Sequence, residues 1–142
     1  MKLNELRIGN LVNYEQTTHV VTGITGISVH SKWYKAPDEE DYVDYIENYK
    51  PIPLTRELLY AAGFQEVPHF TVLKSLVLPY KKNQFSIGGL GTANETMFYK
   101  EDNDVVTIHN YDYHGILHLH QLQNIYYAIT RTELEFTGDL HN

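Results

Sequence analysis

The chain has 142 residues, 42% of them hydrophobic and 20% charged, with 9 Gly and 5 Pro. That is room for one ordinary domain or two small ones, and it excludes a collagen-like, low-complexity or wholly disordered chain. A net charge of −7 argues against a general grip on nucleic acid phosphates, and the lack of Cys removes disulfides, thiolate catalysis, Fe–S clusters and Cys-type zinc sites.

The start, Met1-Lys2-Leu3-Asn4-Glu5-Leu6-Arg7, lacks the continuous apolar stretch of a secretory signal. No run approaches the ~18 apolar residues that would span a bilayer. The expected location is therefore the cytoplasm, with no membrane contact. Residues 8 to 33 read as short strands between tight turns. Leu11-Val12-Asn13-Tyr14, His19-Val20-Val21-Thr22 and Ile27-Ser28-Val29-His30 are β-rich runs punctuated by Gly9, Gly23 and Gly26. Three or four such strands with a curling glycine pattern predict an SH3-like barrel half.

From Lys35 to Lys50 the chain is polar and poorly periodic, which predicts a long loop or an excursion from the sheet. Asp38, Glu39, Glu40, Asp41, Asp44 and Glu47 lie here within ten residues that hold no Lys or Arg. Without these six, 12 acidic side chains face 11 basic ones, so the acidity of the molecule is largely local. Pro51-Ile52-Pro53-Leu54 is biased to an extended form. Thr55 then offers an N-cap oxygen, Leu58, Leu59 and Ala62 an apolar face, and Gly63 a left-handed exit, which predicts a helix at about 55–62.

Between residues 70 and 118, strand-like runs recur about every ten residues with turn signals between them, the mark of an antiparallel meander. They are Phe70–Leu73, Ser75–Leu78, Gln84–Ile87, Thr96–Tyr99 and Val105–Ile108. Leu119, Leu122, Ile125, Tyr126 and Ile129 recur at three- and four-residue steps, which predicts a second helix at about 119–130. Thr132, Leu134 and Phe136 alternate with Glu133 and Glu135 and predict a final strand over 132–136. The expected fold is α+β. An N-terminal β-rich, SH3-like barrel part (1–50) packs with an antiparallel sheet carrying two short helices (51–142).

Leu6-Arg7-Ile8-Gly9-Asn10, Pro51-Ile52-Pro53-Leu54-Thr55 and His120-Gln121-Leu122-Gln123-Asn124 occur in that order. Together they resemble the pattern of a family of small proteins from Bacteroidetes phages, prophages and mobile elements. The resemblance covers both ends and the first helix. It departs at Arg131, where the pattern usually has Gly after the helix. It implies a phage or mobile-element setting and supplies no activity and no catalytic residues. Packing and capping alone would explain the three motifs.

Residues that could carry chemistry are few. Eight His is a high count, and His109, His114, His118 and His120 fall close together. His114, His118 and His120, with Asp112 as an oxygen donor, are the candidate metal ligands. Placing His120 at a helix start breaks the strand geometry that would align them, and the spacing matches no specific zinc signature. Gly88-Gly89-Leu90-Gly91-Thr92 lacks the Lys of a P-loop, and no Ser sits in a nucleophile elbow. The aromatic set is the stronger lead: 12 Tyr, 5 Phe and 1 Trp make 13% of the chain. Trp33, Tyr34, Tyr42, Tyr45 and Tyr49 adjoin or interleave with the acidic stretch, and tyrosine favours interfaces because it adds rigid contact area at little entropic cost. The expectation is a non-enzymatic binding module with a protein partner and no cofactor, homo-oligomerisation staying open. The alternatives are a His-based metal-dependent enzyme or metal-binding protein, and a single-stranded nucleic acid binder, the latter weakened by the net charge.

Overall fold

The computed structural model of the chain describes residues 1–67, 75–80, 83–88, 96–101, 104–109, 118–138 and 140. The chain divides into two compact units, one of Met1–Pro53, His118–Glu133 and Asp139–Asn142, the other of Leu54–Leu117 and Leu134–Gly138. No helix among the described residues is long and apolar enough to cross a membrane.

The first unit is built on five strands: β1 (Leu11–Tyr14), β2 (Thr17–Thr25), β3 (Ser28–Trp33), β4 (Tyr42–Tyr45) and β5 (Tyr49–Lys50). They form one antiparallel sheet in the order β4-β3-β2-β1-β5. Two-residue turns set the register. Glu15 and Gln16 both hold positive φ, 48° and 67°, as a type I′ turn requires, and Gly26 (φ 60°) opens the β2–β3 turn. The β2–β3 register shifts by one residue between Val21 and Gly23, a bulge that sharpens the twist. A 3₁₀ turn, Ile46–Asn48, then carries the chain from β4 to β5, which pairs with β1 at the opposite edge, so the sheet curls into a half-barrel. Its concave face holds the buried Val12, Tyr14, Val21, Val29 and Tyr49, with Leu6 closing one end.

The stretch from 35 to 50 is therefore no plain loop: it contains β4, the 3₁₀ turn and β5. Strand pairing there is set by a neighbour in space, which charge-rich composition conceals.

Helix α2 (Leu119–Thr130) lies against β1 and belongs to this first unit. Of the stripe the period predicts, Leu119, Leu122 and Tyr126 are buried and Ile125 half-buried. The Leu119 N–H donates to the Ile52 carbonyl, and His118 bridges to Pro53, fixing the helix start.

Polar side chains then lock the helix to the segment before β1. Gln123, 2% exposed, accepts from the Leu11 N–H at 2.8 Å and donates to the Gly9 carbonyl at 3.2 Å. Asn124 accepts from Asn10 Nδ2 at 2.8 Å and donates to the Glu5 carbonyl at 2.8 Å. Arg7 lies over the Tyr127 ring at 4.2 Å and grips Glu133 through both terminal nitrogens. Gly9 is required by its backbone, held at φ 97°, a conformation that L side chains rarely adopt.

The second unit carries an antiparallel meander, β6 (Gln65–Val67), β7 (Ser75–Tyr80), β8 (Asn83–Gly88), β9 (Thr96–Glu101) and β10 (Asp104–His109), in sequential order. The expected run at 70–73 lies outside the described residues. Helix α1 (Arg56–Ala61) starts where Thr55 Oγ1 accepts the Leu58 N–H. It ends in a Schellman motif: Phe64 N–H reaches the Leu59 carbonyl and Gly63 (φ 92°) that of Tyr60. Residues 132–136 do not form the expected strand. Burial does alternate here, Leu134 buried between exposed Glu133 and Glu135, but among the described residues no strand pairs with this backbone, and Glu133 is taken by Arg7.

Two stability changes follow. Gln123→Leu keeps helix propensity and bulk but leaves the buried Leu11 N–H unpaired, so it should lower unfolding free energy by about 2 kcal/mol in urea titration. Arg131 ends α2 in the left-handed region (φ 57°), and Arg131→Gly should raise stability by about 1 kcal/mol, read as a higher Tm.

Candidate functional site

Strand alternation assigns each aromatic of the first unit a place. In β1 and β2, Tyr14 and His19 face the concave side, and on β5 Tyr49 does the same. Tyr14 stacks on Tyr49 with ring centroids 4.6 Å apart, and meets His19 edge-on at 5.1 Å. Tyr42 continues this set from β4, 5.1 Å from His19 and 5.9 Å from Tyr14. It nevertheless keeps 43% of its surface in solvent. Tyr42 is thus an exposed ring held from behind by buried ones.

Tyr45 and Val43 point to the opposite, convex face of β4, 52% and 56% exposed. Trp33 ends β3 opposite His19, and its indole N–H is buried with no acceptor among the described residues. Tyr34 is half-buried just beyond the strand. Tyr49 does not join the surface: it is 2% exposed, and its hydroxyl meets Ser31 Oγ at 3.0 Å and the Val29 carbonyl at 3.1 Å. The β5–β1 pairing turns it inward, a placement fixed by a strand that sequence spacing does not reveal.

Asp44 joins this core to the surface. It accepts from the Tyr14 hydroxyl (2.9 Å), Asn48 Nδ2 (2.7 Å) and the Tyr45 N–H (2.7 Å). These donors, Asn48 first, hold its carboxyl below the ordinary range. Burial, followed by the bond to Asp44, pushes the Tyr14 phenol up to about 12. A surface cleft of about 570 Å³ opens beside this pair, lined by Asn13, Glu15, Gln16, Asn48 and Lys50 as well. Asp41 is also engaged, with Thr22 Oγ1 at 2.9 Å and Lys32 Nζ at 3.7 Å.

His19 and Ser31 lie within 3.0 Å, the distance of a nucleophile and its base. Ser31 is 0% exposed and the other ring nitrogen of His19 meets Thr17 Oγ1, so the pair closes an internal polar chain out of reach of substrate.

Of the three candidate metal ligands, His118 and His120 come together with rings stacked at 5.8 Å, while His114 lies outside the described residues. Among the described residues no group of three or more His, Asp or Glu could hold a metal ion. His120 is 1% exposed, neither ring nitrogen has a hydrogen-bond partner among the described residues, and the Glu5 carboxylate stands 3.9 Å away. Burial, reinforced by His118, pushes its pKa down to about 4.

A depressed imidazole pKa gives a signed prediction. Below an ordinary value of 6.5, the unfolded chain takes up a proton that folded His120 refuses, so its contribution is lost as pH falls from there to about 4. His120→Phe should flatten the decline of unfolding free energy with acid across that window in urea titrations. An unaltered slope would show that His120 is not held neutral.

Comparison with protein-family models, with curated proteins and with solved structures finds no match for this chain, so the functional reading rests on its own geometry.

Proposed function

We propose that the protein is a non-enzymatic binding module whose recognition surface is β4 and the acidic stretch leading into it. The observation that carries this reading is the exposure of Tyr42, Val43 and Tyr45 on one short strand anchored from behind. Exposed apolar groups cost free energy unless something covers them, and rigid tyrosines suit an interface because little entropy is lost on binding. The buried Ser31–His19 pair supports a structural role for this nucleophile-and-base geometry.

Support for an SH3-like barrel comes from the strand order and from the 3₁₀ turn that delivers β5 onto β1. In that reading the barrel is a scaffold for a partner protein, and the phage or mobile-element setting implied by the three motifs makes the protein an accessory factor. The motifs themselves are spent on structure: two of them supply Arg7, Asn10, Gln123 and Asn124 to the lock on α2.

The test is recovery of protein partners from a lysate of the source cell. Tyr42→Ala/Tyr45→Ala should reduce recovery of the specific partner about tenfold at an unchanged Tm, since neither ring is fully buried. Equal recovery by the double variant, or none by the natural protein, would remove β4 as the recognition surface.

A further inference from the structure

We infer that β4 receives an extended, Lys- or Arg-bearing peptide segment as an added strand. This rests on the reading of β4 as the recognition surface and specifies how that surface works.

The ladder geometry shows which backbone groups are available. The Ile46 N–H donates to the Ile27 carbonyl at 3.1 Å, which marks 27 and 46 as a hydrogen-bonded pair. Antiparallel pairs alternate, so Val29 with Asp44 and Ser31 with Tyr42 are bonded likewise, while His30 with Val43 and Ser28 with Tyr45 are not. The N–H and C=O of Val43 and Tyr45 therefore point away from β3. Among the described strands β4 pairs with β3 alone. Tyr45 has its N–H occupied by Asp44, and its C=O, at the N-cap of the 3₁₀ turn, accepts within that turn, leaving the Val43 N–H and C=O as the open edge.

Both faces of that edge are apolar, Tyr42 on the concave side and Val43 with Tyr45 on the convex side. A partner covering one face would leave the other bare. A strand laid alongside β4 places alternate side chains against both at once. The edge carries no Lys, Pro or bulge; its short length and the inward-turned Asp44 are its only guards among the described residues.

Charge selects the occupant. Asp38, Glu39 and Glu40 precede the strand and Glu47 follows it, all exposed, and their carboxylates make no ion pair among the described residues. Asp41 and Asp44 are already engaged. Four uncommitted negative charges at the two ends of a short edge call for cations on the incoming segment. A second copy pairing through β4 would bring the same acidic stretches together, and like charges oppose it.

The test pans a random decapeptide library against the full chain. Binders should be rich in Lys or Arg and in β-branched residues. N-methylation of alternate amides in the best binder should weaken it about tenfold, as should Glu39→Lys/Glu40→Lys in the protein. No enriched binder, an acidic consensus, indifference to N-methylation, or self-association through β4 would each overturn the inference. Val43→Pro separates this inference from the reading beneath it, because it removes an outward N–H that β3 does not use. If Val43→Pro still recovers the cellular partner while Tyr42→Ala/Tyr45→Ala does not, β4 is the surface but strand addition is wrong. If both recover it, the surface itself is wrong. Should Val43→Pro melt early, the charge-reversed variant and the N-methylated peptide decide the matter.

Discussion

The first unit depends on the polar lock between α2 and the residues that lead into β1. Gln123 and Asn124 meet the backbone and side chains of Glu5, Gly9, Asn10 and Leu11, more than 110 residues away in sequence. An apolar stripe such as Leu119, Leu122 and Tyr126 is non-directional and would tolerate sliding by a turn. A buried carboxamide such as Gln123 does not, because a shifted register leaves a donor or acceptor unsatisfied at a cost of about 1–3 kcal/mol. The lock therefore fixes where β1 starts, and β1 stands between β2 and β5 in the sheet.

From that fixed strand, order is passed outward. Tyr14 on β1 stacks on Tyr49 of β5 and donates to Asp44 of β4, so one side chain spans the concave face between the two ends of the strand order. Asp44 in turn holds Asn48 and the Tyr45 N–H, shaping the 3₁₀ turn that closes the curl. Exposure at β4 is thus backed by a buried network. An edge strand held in this way presents the Tyr42 ring with little conformational freedom to lose.

The elements best legible in the sequence are those set by local chemistry. Helix α1 has its Thr55 cap and Gly63 exit where the residue types put them, and α2 runs over the stretch that its three- and four-residue spacing marks. Strands β1 to β3 follow from β-branched runs, but Gly23, which reads as a break, lies inside β2 at its bulge, and Ile27 falls in the turn. Legibility failed over 35–50, where β4 and β5 hide in an acidic, Tyr-rich stretch without periodicity. It failed again at 132–136, where alternation promised a strand. In both places the outcome turns on a partner distant in the chain: β3 and β1 for the hidden strands, Arg7 for Glu133.

The candidate site divides along the same line. Residue types alone singled out Tyr42 and Tyr45 beside an acidic run, because aromatic and charged groups in one stretch have a recognisable chemistry whatever their fold. Only the tertiary structure withdrew Tyr49 into the core, placed Tyr42 and Tyr45 on opposite faces of one strand, and set His118 against His120. Composition and short-range spacing determined the helices and the location of the negative charge, since each depends on neighbours a few residues apart. Which strand lies at the edge, and which face each ring meets, depends on pairing between remote segments. That pairing is settled by the register of the whole sheet, a property that no single stretch of sequence contains.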